Sequence, residues 1–251
     1  MRQPVRLFGP RTSYADAVCG RFTLTKSERA ELEDEMGLAR GSLSPGYQAR
    51  FNIAPTDEHF IVRQRLEERE AVPAKWGLVN HWAQPGTRPA PQINARAEGI
   101  DRRPAFRDAF ASRRCLVPAD GFFEWVGEKS ARRPIWFHRP GREAFWFAGL
   151  YESWNPTPET RRRTFTIITT TANSLVAPVH DRMPVILSEA AADEWLNPNG
   201  EPARLLALLQ PAPDSLLVAR EVSPLVNSVR NDSPDLIEPV EPSARQLAFD
   251  S

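Results

Sequence analysis

The sequence predicts an α+β fold, a single domain built on a mainly antiparallel, curved, barrel-like β-sheet with flanking helices. Three observations predict it. Short apolar runs of strand length recur along the chain and are rich in aromatic and β-branched residues. Helical patterns are few. Strands and helices do not alternate regularly, as a doubly wound parallel sheet would require.

The elements follow in order. Residues 19–24 read as a strand. Ser27 is placed to cap a helix over 28–38, with its end near Gly41. Residues 42–50 are a turn-rich loop. Strands are expected at 59–65, 71–78, 115–118, 121–126, 135–138, 144–150, 164–170 and 185–187, and helices at 104–112, 188–196 and 202–209. The polar stretch 152–163 reads as a hairpin loop. Residues 1–18 lack periodicity and are expected to form a disordered extension, residues 19–240 the domain, and residues 241–251 a loose tail. No internal repeat is visible.

Composition excludes several classes. The chain has 251 residues, enough to bury a substantial core. Acidic and basic residues balance at 32 each, so net charge gives no argument for nucleic acid, and any basic surface must be local. Lys26, Lys75 and Lys129 are the only lysines among those basic residues, and prolines number 24. That bias fits a GC-rich genome and weakens the reading of any single arginine. Two cysteines, Cys19 and Cys115, are too few for a disulfide scaffold, and no C-x-x-C pair offers a zinc knuckle. No apolar run approaches the roughly 20 residues that span a bilayer, and residues 1–18 hold no apolar signal core. The expectation is a reduced cytoplasmic protein, associated with the nucleoid when DNA is damaged, monomeric, with no membrane partner, no metal and no cofactor.

Four spots carry residues capable of chemistry: C-G-R-F at 19–22, N-A-R-A-E at 94–98, D-G-F-F-E-W at 120–125 and H-D-R-M-P at 180–184. Each is weak alone. A free Cys is most often a small buried hydrophobe. Alternation along 121–126 puts Glu124 on a solvated face, whereas a desolvated site would raise its pKa and fit it for proton transfer. His180 lies in a Pro-flanked loop, where a His is exposed or catalytic. Asp181 either orients it or caps a turn. Cys115 is assigned to the core, and His59, His81 and His138 have no nameable partner.

Taken together, and with F-N-I-A-P at 51–55, W-G-L at 76–78, C-L-V-P-A at 115–119 and V-I-L at 185–187, these motifs resemble, in order, the SOS-response-associated peptidase (SRAP) family. Its members are abasic-site processing proteins, and the likeness runs from Cys19 to about Pro239. The resemblance implies the SRAP fold and a set of roles. Cys19 is the nucleophile, normally exposed as the first residue after Met removal. Asn94 holds the reacting sugar and the Cys α-amine, and Glu124 and His180 form an acid–base pair. Arg21, Arg96 and Arg182 contact phosphates, Trp82 and Trp125 pack against DNA, and Asn52 and Pro55 join the DNA-binding surface. Family members often carry two adjacent tryptophans where this chain has Trp82-Ala83, which removes one stacking platform.

The implied partner is single-stranded DNA containing abasic sites, held with little sequence preference and weakened by salt. The implied reaction needs an amine and a thiol on one residue. The α-amine forms a Schiff base with the ring-opened sugar aldehyde, and the thiol adds to that imine, closing a thiazolidine. As written, Cys19 is internal and its nitrogen is an amide. Three explanations stand: a start codon at Val18, autoproteolysis before Cys19, or an extension that is real and blocks crosslinking. Rival readings are a cysteine peptidase using Cys19 and His180, an amidohydrolase with an N-terminal nucleophile, and a noncatalytic single-strand-binding module. A zinc site at Cys19, Glu124 and His180 lacks paired spacing.

Overall fold

Chain order in the computed structural model is β1 (Phe22–Leu24), α1 (Arg29–Glu35), β2 (Arg50–Ile53), β3 (Glu58–Arg65), β4 (Glu68–Trp76), β5 (Asn94–Arg96), α2 (Arg107–Ser112), β6 (Arg114–Ala119), β7 (Gly121–Val126), β8 (Arg133–His138), β9 (Phe145–Thr157), β10 (Thr160–Thr171), β11 (Arg182–Pro184), β12 (Ile186–Leu187), α3 (Glu189–Leu196), α4 (Pro202–Ala207) and β13 (Val218–Glu221). The structure describes residues 19–240 except 67, 85–88, 129–130 and 158–159. The expected extension at 1–18 and tail at 241–251 lie outside the described residues.

The strands form two sheets. One has the order β13-β8-β7-β1-β2. The other runs β11-β10-β4-β3-β6-β9-β12, and β9 also pairs with β10. That extra pairing closes β10, β4, β3, β6 and β9 into a five-stranded barrel, which removes the open edges of those strands. Nearly every pairing is antiparallel, but β10 runs parallel to both β4 and β5. The predicted α+β class with a curved, barrel-like sheet is therefore what forms.

Aromatic side chains join the two sheets. Phe22 of β1 meets His59, Trp76 and Phe147 edge-on at ring centroids 5.1, 5.1 and 5.9 Å apart, and Phe122 of β7 reaches Phe147 at 6.2 Å. Such pairs add about 0.5–1.5 kcal/mol beyond area burial. A second, smaller core lies on the other face of the β7 sheet, made by Phe123, Trp136, Val222, Val226, Leu236 and Ile237. The central strand β7 is thus covered on both faces.

Local departures from expectation have local causes. The first helix starts at Arg29, with Glu28 rather than Ser27 at its N-cap. It ends at Glu35 rather than near Gly41. Gly37 takes a left-handed φ of 60°, and the Gly37 and Leu38 N–H groups bond back to the Asp34 and Glu33 carbonyls at 3.2 and 2.8 Å. That is the arrangement in which a glycine terminates a helix. By contrast, the helix expected over 188–196 forms as α3, with Ser188 as its N-cap accepting from the Ala191 N–H at 3.3 Å. The polar stretch 152–163 is mostly strand. β9 and β10 stay paired through Glu152↔Thr164 and Trp154↔Arg162 to Thr157↔Thr160. Its polar composition reflects a solvated end of the ribbon, not a loop.

Candidate active site

The first turn of the domain delivers Cys19 to β7. β1 pairs antiparallel with β7 in the register Phe22↔Phe122, and the Phe123 N–H donates to the Arg21 carbonyl at 3.0 Å. Continuing back along the chain carries the Cys19 backbone past Glu124. The Cys19 N–H donates to Glu124 Oε1 at 2.6 Å, joining residues 105 positions apart. Cys19 is fully buried and sits at a φ of 45°, in the left-handed region that a non-glycine residue avoids.

Glu124 is only 3% exposed, so the solvated-face reading from alternation is overturned. Alternation does hold along β7. It puts Glu124 on the Phe122 side and Trp125 on the Phe123 side, and both faces are covered from Phe122 to Glu124. Burial lifts the Glu124 carboxyl to about 8. The Cys19 N–H and Arg132 pull it down, while the Asp181 charge pushes it up. A carboxyl near 8 can both give and take a proton at neutral pH. The Cys19 thiol is also held well above its ordinary range, by burial first and by Glu124 second.

The Asp181 charge acts on Glu124, so the 180–182 segment lies within electrostatic reach of it. There His180 Nδ1 accepts the Arg182 N–H at 3.0 Å, which places the proton of the neutral ring on Nε2. Asp181 Oδ1 also lies 3.0 Å from Nδ1. Nδ1 cannot accept from a main-chain N–H and donate to Asp181 at once, so that ion pair forms only when the ring is protonated. Among the described residues, no hydrogen bond joins the Cys19 thiol to His180. Asn94 is half-buried on β5, opposite Ile167 of β10, and the exposed Arg96 projects from the same face of that short strand.

The remaining expected residues divide. Trp82 is 58% exposed, open to a partner. Trp125 is half-buried, with its indole N–H on Asn227 Oδ1 at 2.6 Å and the Arg21 guanidinium 5.8 Å from its ring. Arg21 Nη1 donates to Asn52 Oδ1 at 2.9 Å and to the Val226 carbonyl at 2.8 Å. Asn52 is buried, and its amide donates to the Val226, Ser228 and Asn231 carbonyls. Arg21 and Asn52 therefore organise the 226–231 loop beside Trp125. Pro55 is half-buried in the turn after β2. Arg182 is buried too. Its guanidinium holds both Glu98 oxygens at 2.5 and 2.9 Å and the Thr169 carbonyl at 2.6 Å. A side chain so enclosed ties β11 to β10 and to the turn that follows β5, and has little of its fork left for a phosphate.

Glu98 had no assigned role in the sequence. It lies in the same motif as Asn94, but nothing local marks it as the partner of a residue 84 positions away. The histidines without partners acquire them. His59 Nε2 lies 3.1 Å from the Pro118 carbonyl, and burial lowers its pKa to about 4. His81 Nδ1 lies 3.3 Å from Glu152, and His138 Nδ1 lies 2.6 Å from the Arg139 carbonyl. Among the described residues, no three His, Cys, Asp or Glu side chains are grouped to hold a metal, and no helix is long and apolar enough to cross a membrane.

Residues 18–229 match the family described as SOS response associated peptidase (SRAP). The chain is 39% identical over 223 residues to the abasic site processing protein YoqW of Bacillus subtilis, covering 88% of this chain and 99% of that protein. It is 29% identical over 235 residues to the abasic site processing protein YedK of Escherichia coli, covering 89% and 100%. A solved structure of a protein from Bacteroides thetaiotaomicron superposes with a TM-score of 0.76 at 23% identity, covering 89% of this chain and all of that one, and shows the shared fold.

Proposed function

Because the chain belongs to the SOS response associated peptidase family, whose curated relatives are abasic site processing proteins, we propose that it captures abasic sites in single-stranded DNA as a covalent thiazolidine on Cys19. One observation carries the reading. The Glu124 carboxyl holds the Cys19 nitrogen at 2.6 Å, not its sulfur. In a chain beginning at Cys19 that nitrogen is an α-amine, with an ordinary pKa of about 7.7–8.0. The buried carboxyl of Glu124 beside it is placed to take the ammonium proton.

The steps then balance. The neutral amine attacks the ring-opened sugar aldehyde, forming a C–N bond. Glu124 returns a proton to the hydroxyl, which leaves as water, and takes the remaining N–H proton, which gives the imine. The thiol adds across C=N, its sulfur to carbon and its proton to nitrogen, closing a five-membered ring. A neutral thiol suffices for that intramolecular addition. A cysteine peptidase needs a thiolate beside a base, whereas burial here favours the neutral thiol and, among the described residues, no histidine hydrogen-bonds to it. The left-handed φ at Cys19 also favours a processed chain, because an N-terminal residue has no φ to strain.

The test mixes protein with single-stranded DNA bearing one abasic site and resolves the products on a denaturing gel. The chain trimmed to begin at Cys19 forms an SDS-resistant adduct. Cys19→Ala in the same trimmed chain forms none, and the full chain forms none unless mass spectrometry finds it cut before Cys19. An adduct of equal yield from uncut full-length chain overturns the proposal. DNA binding gives a separate expectation. Trp82→Ala removes the exposed stacking platform and weakens binding by about 1–3 kcal/mol, measured by fluorescence anisotropy, with folding unchanged.

A further inference from the structure

A second charged feature lies away from Cys19, at the solvated end of the β9–β10 ribbon. Arg63, His81, Arg113, Tyr151, Glu152 and Arg161 line an open cavity of about 260 Å³. The cavity is smaller than the roughly 300–1,000 Å³ usual for whole small-molecule ligands, and its walls are polar. Three arginines face it, against one buried carboxylate, Glu152, which is already engaged by Arg113 at 2.9 Å and by His81. Arg63 is shared with Glu70 outside the cavity. The Nε atoms of Arg113 and of the neighbouring Arg163 are buried without a hydrogen-bond partner among the described residues. Burial, then the nearby charges of Arg63 and Arg161, lowers the Arg163 pKa, as expected of like charges crowded without enough counter-charge. The surplus is positive, so the fitting ligand is an anion.

The position of the cavity says which anion. His81 in its wall precedes the exposed Trp82, and the Trp154 indole N–H donates to the Ala83 carbonyl at 3.2 Å, tying the Trp82 loop to β9. Along β10, Arg161 stands six residues from Ile167, the partner of Asn94. At about 3.3 Å per residue the cavity lies roughly 20 Å from Asn94, on the Trp82 side. We propose that this cavity seats a backbone phosphate of the DNA strand that leaves the reacting site and stacks on Trp82. The proposal rests on the reading that the chain binds single-stranded DNA, and it adds a site that fixes how far the strand must extend.

The experiment measures binding of undamaged single-stranded DNA by fluorescence anisotropy across a salt series, so it does not depend on crosslinking. It compares wild type with Arg161→Glu and Arg161→Lys, because Arg161 is exposed and its replacement leaves the core intact. On an oligonucleotide long enough to reach the cavity, Arg161→Glu makes the slope of log K against log salt shallower by about one, and Arg161→Lys keeps it. On a trinucleotide too short to reach, the variants bind like wild type. Capture of an abasic trinucleotide by the trimmed chain at saturation is also unchanged. An unchanged slope on the long strand overturns the proposal, and so does an equal change on the short one. Inorganic phosphate at matched ionic strength separates the remaining source. If it stabilises wild type but not Arg161→Glu while long-strand binding is the same for both, the cavity serves a small free anion and the DNA proposal fails. If capture never occurs but the length-dependent slope change does, the cavity assignment stands and the Cys19 chemistry is what falls.

Discussion

Glu124→Gln in the chain trimmed to begin at Cys19 slows covalent capture by about 10²–10⁴-fold, the range for losing a positioned acid–base group, while leaving DNA affinity within a few-fold. Gln keeps the shape and can still accept from the Cys19 nitrogen through its carbonyl oxygen, but it cannot carry the proton. Single-turnover rates across pH make the comparison. Both proteins keep the pH dependence of the Cys19 amine, whose ordinary pKa is about 7.7–8.0, and the variant loses only the further dependence that comes from Glu124. Equal rates for the two proteins would remove Glu124 from the chemistry.

The same residue sets a stability expectation for the full chain. The folded carboxyl titrates at about 8, above its ordinary 4.5. Between those values the folded chain holds a proton that the unfolded chain has released. Stability from this group is therefore complete below about pH 4.5, falls as pH rises and levels off above about 8. The full swing is on the order of 5 kcal/mol. His59, with its folded pKa near 4, acts oppositely, adding stability as pH rises from 4 to 6.5. The difference between wild type and Glu124→Gln cancels that contribution. Urea unfolding at a series of pH values should show the variant gaining on wild type from pH 5 to 8. A constant difference would contradict the buried, proton-holding carboxyl.

Arg114→Ala carries the largest expected loss of stability. The Arg114 guanidinium is buried in an otherwise apolar strand and donates to four main-chain carbonyls: Trp195, Phe110, Ala111 and Asn197, at 2.7, 2.7, 2.9 and 2.6 Å. It closes the C-terminal ends of α2 and α3 on the barrel and stacks 5.9 Å from the Trp195 ring. Helix C-termini leave carbonyls unpaired, and a cation there satisfies both the hydrogen bonds and the dipole. Removing it strands buried acceptors and a cavity, costing about 4 kcal/mol. For a domain of this size that is a Tm lowered by roughly 8–16 °C. Calorimetry reads it, and Arg114→Lys should recover only part because one ammonium cannot span four carbonyls.

Much of the architecture is legible in the residues alone. Strand-length apolar runs located β3, β6, β7 and β8 nearly to the residue, because period-two side chains on a pleated strand leave a direct trace. Short strands such as β5 and β11 leave no such trace, since three residues cannot establish a period. Their pairing with β10 is instead supplied by the barrel. The ordered motifs likewise named Cys19, Asn94, Glu124 and His180, but in four segments with no stated distance between them.

By itself, then, the sequence determined the fold class and the family motifs that single out Cys19, Asn94, Glu124 and His180 as candidates, together with the condition that the proposed thiazolidine sets, a free amine on Cys19. Only the tertiary structure decided the environments. It packed the Phe122 face of β7 against the barrel and buried Glu124 on that face. It set that carboxyl against a nitrogen 105 residues earlier. It turned Arg21, Arg182 and Asn52 inward as braces, and it gathered Arg63, Arg113 and Arg161 around one cavity. The reason is physical. Local patterning records which way a side chain points from its own strand, while pKa, charge pairing and openness depend on what the rest of the chain packs against that side.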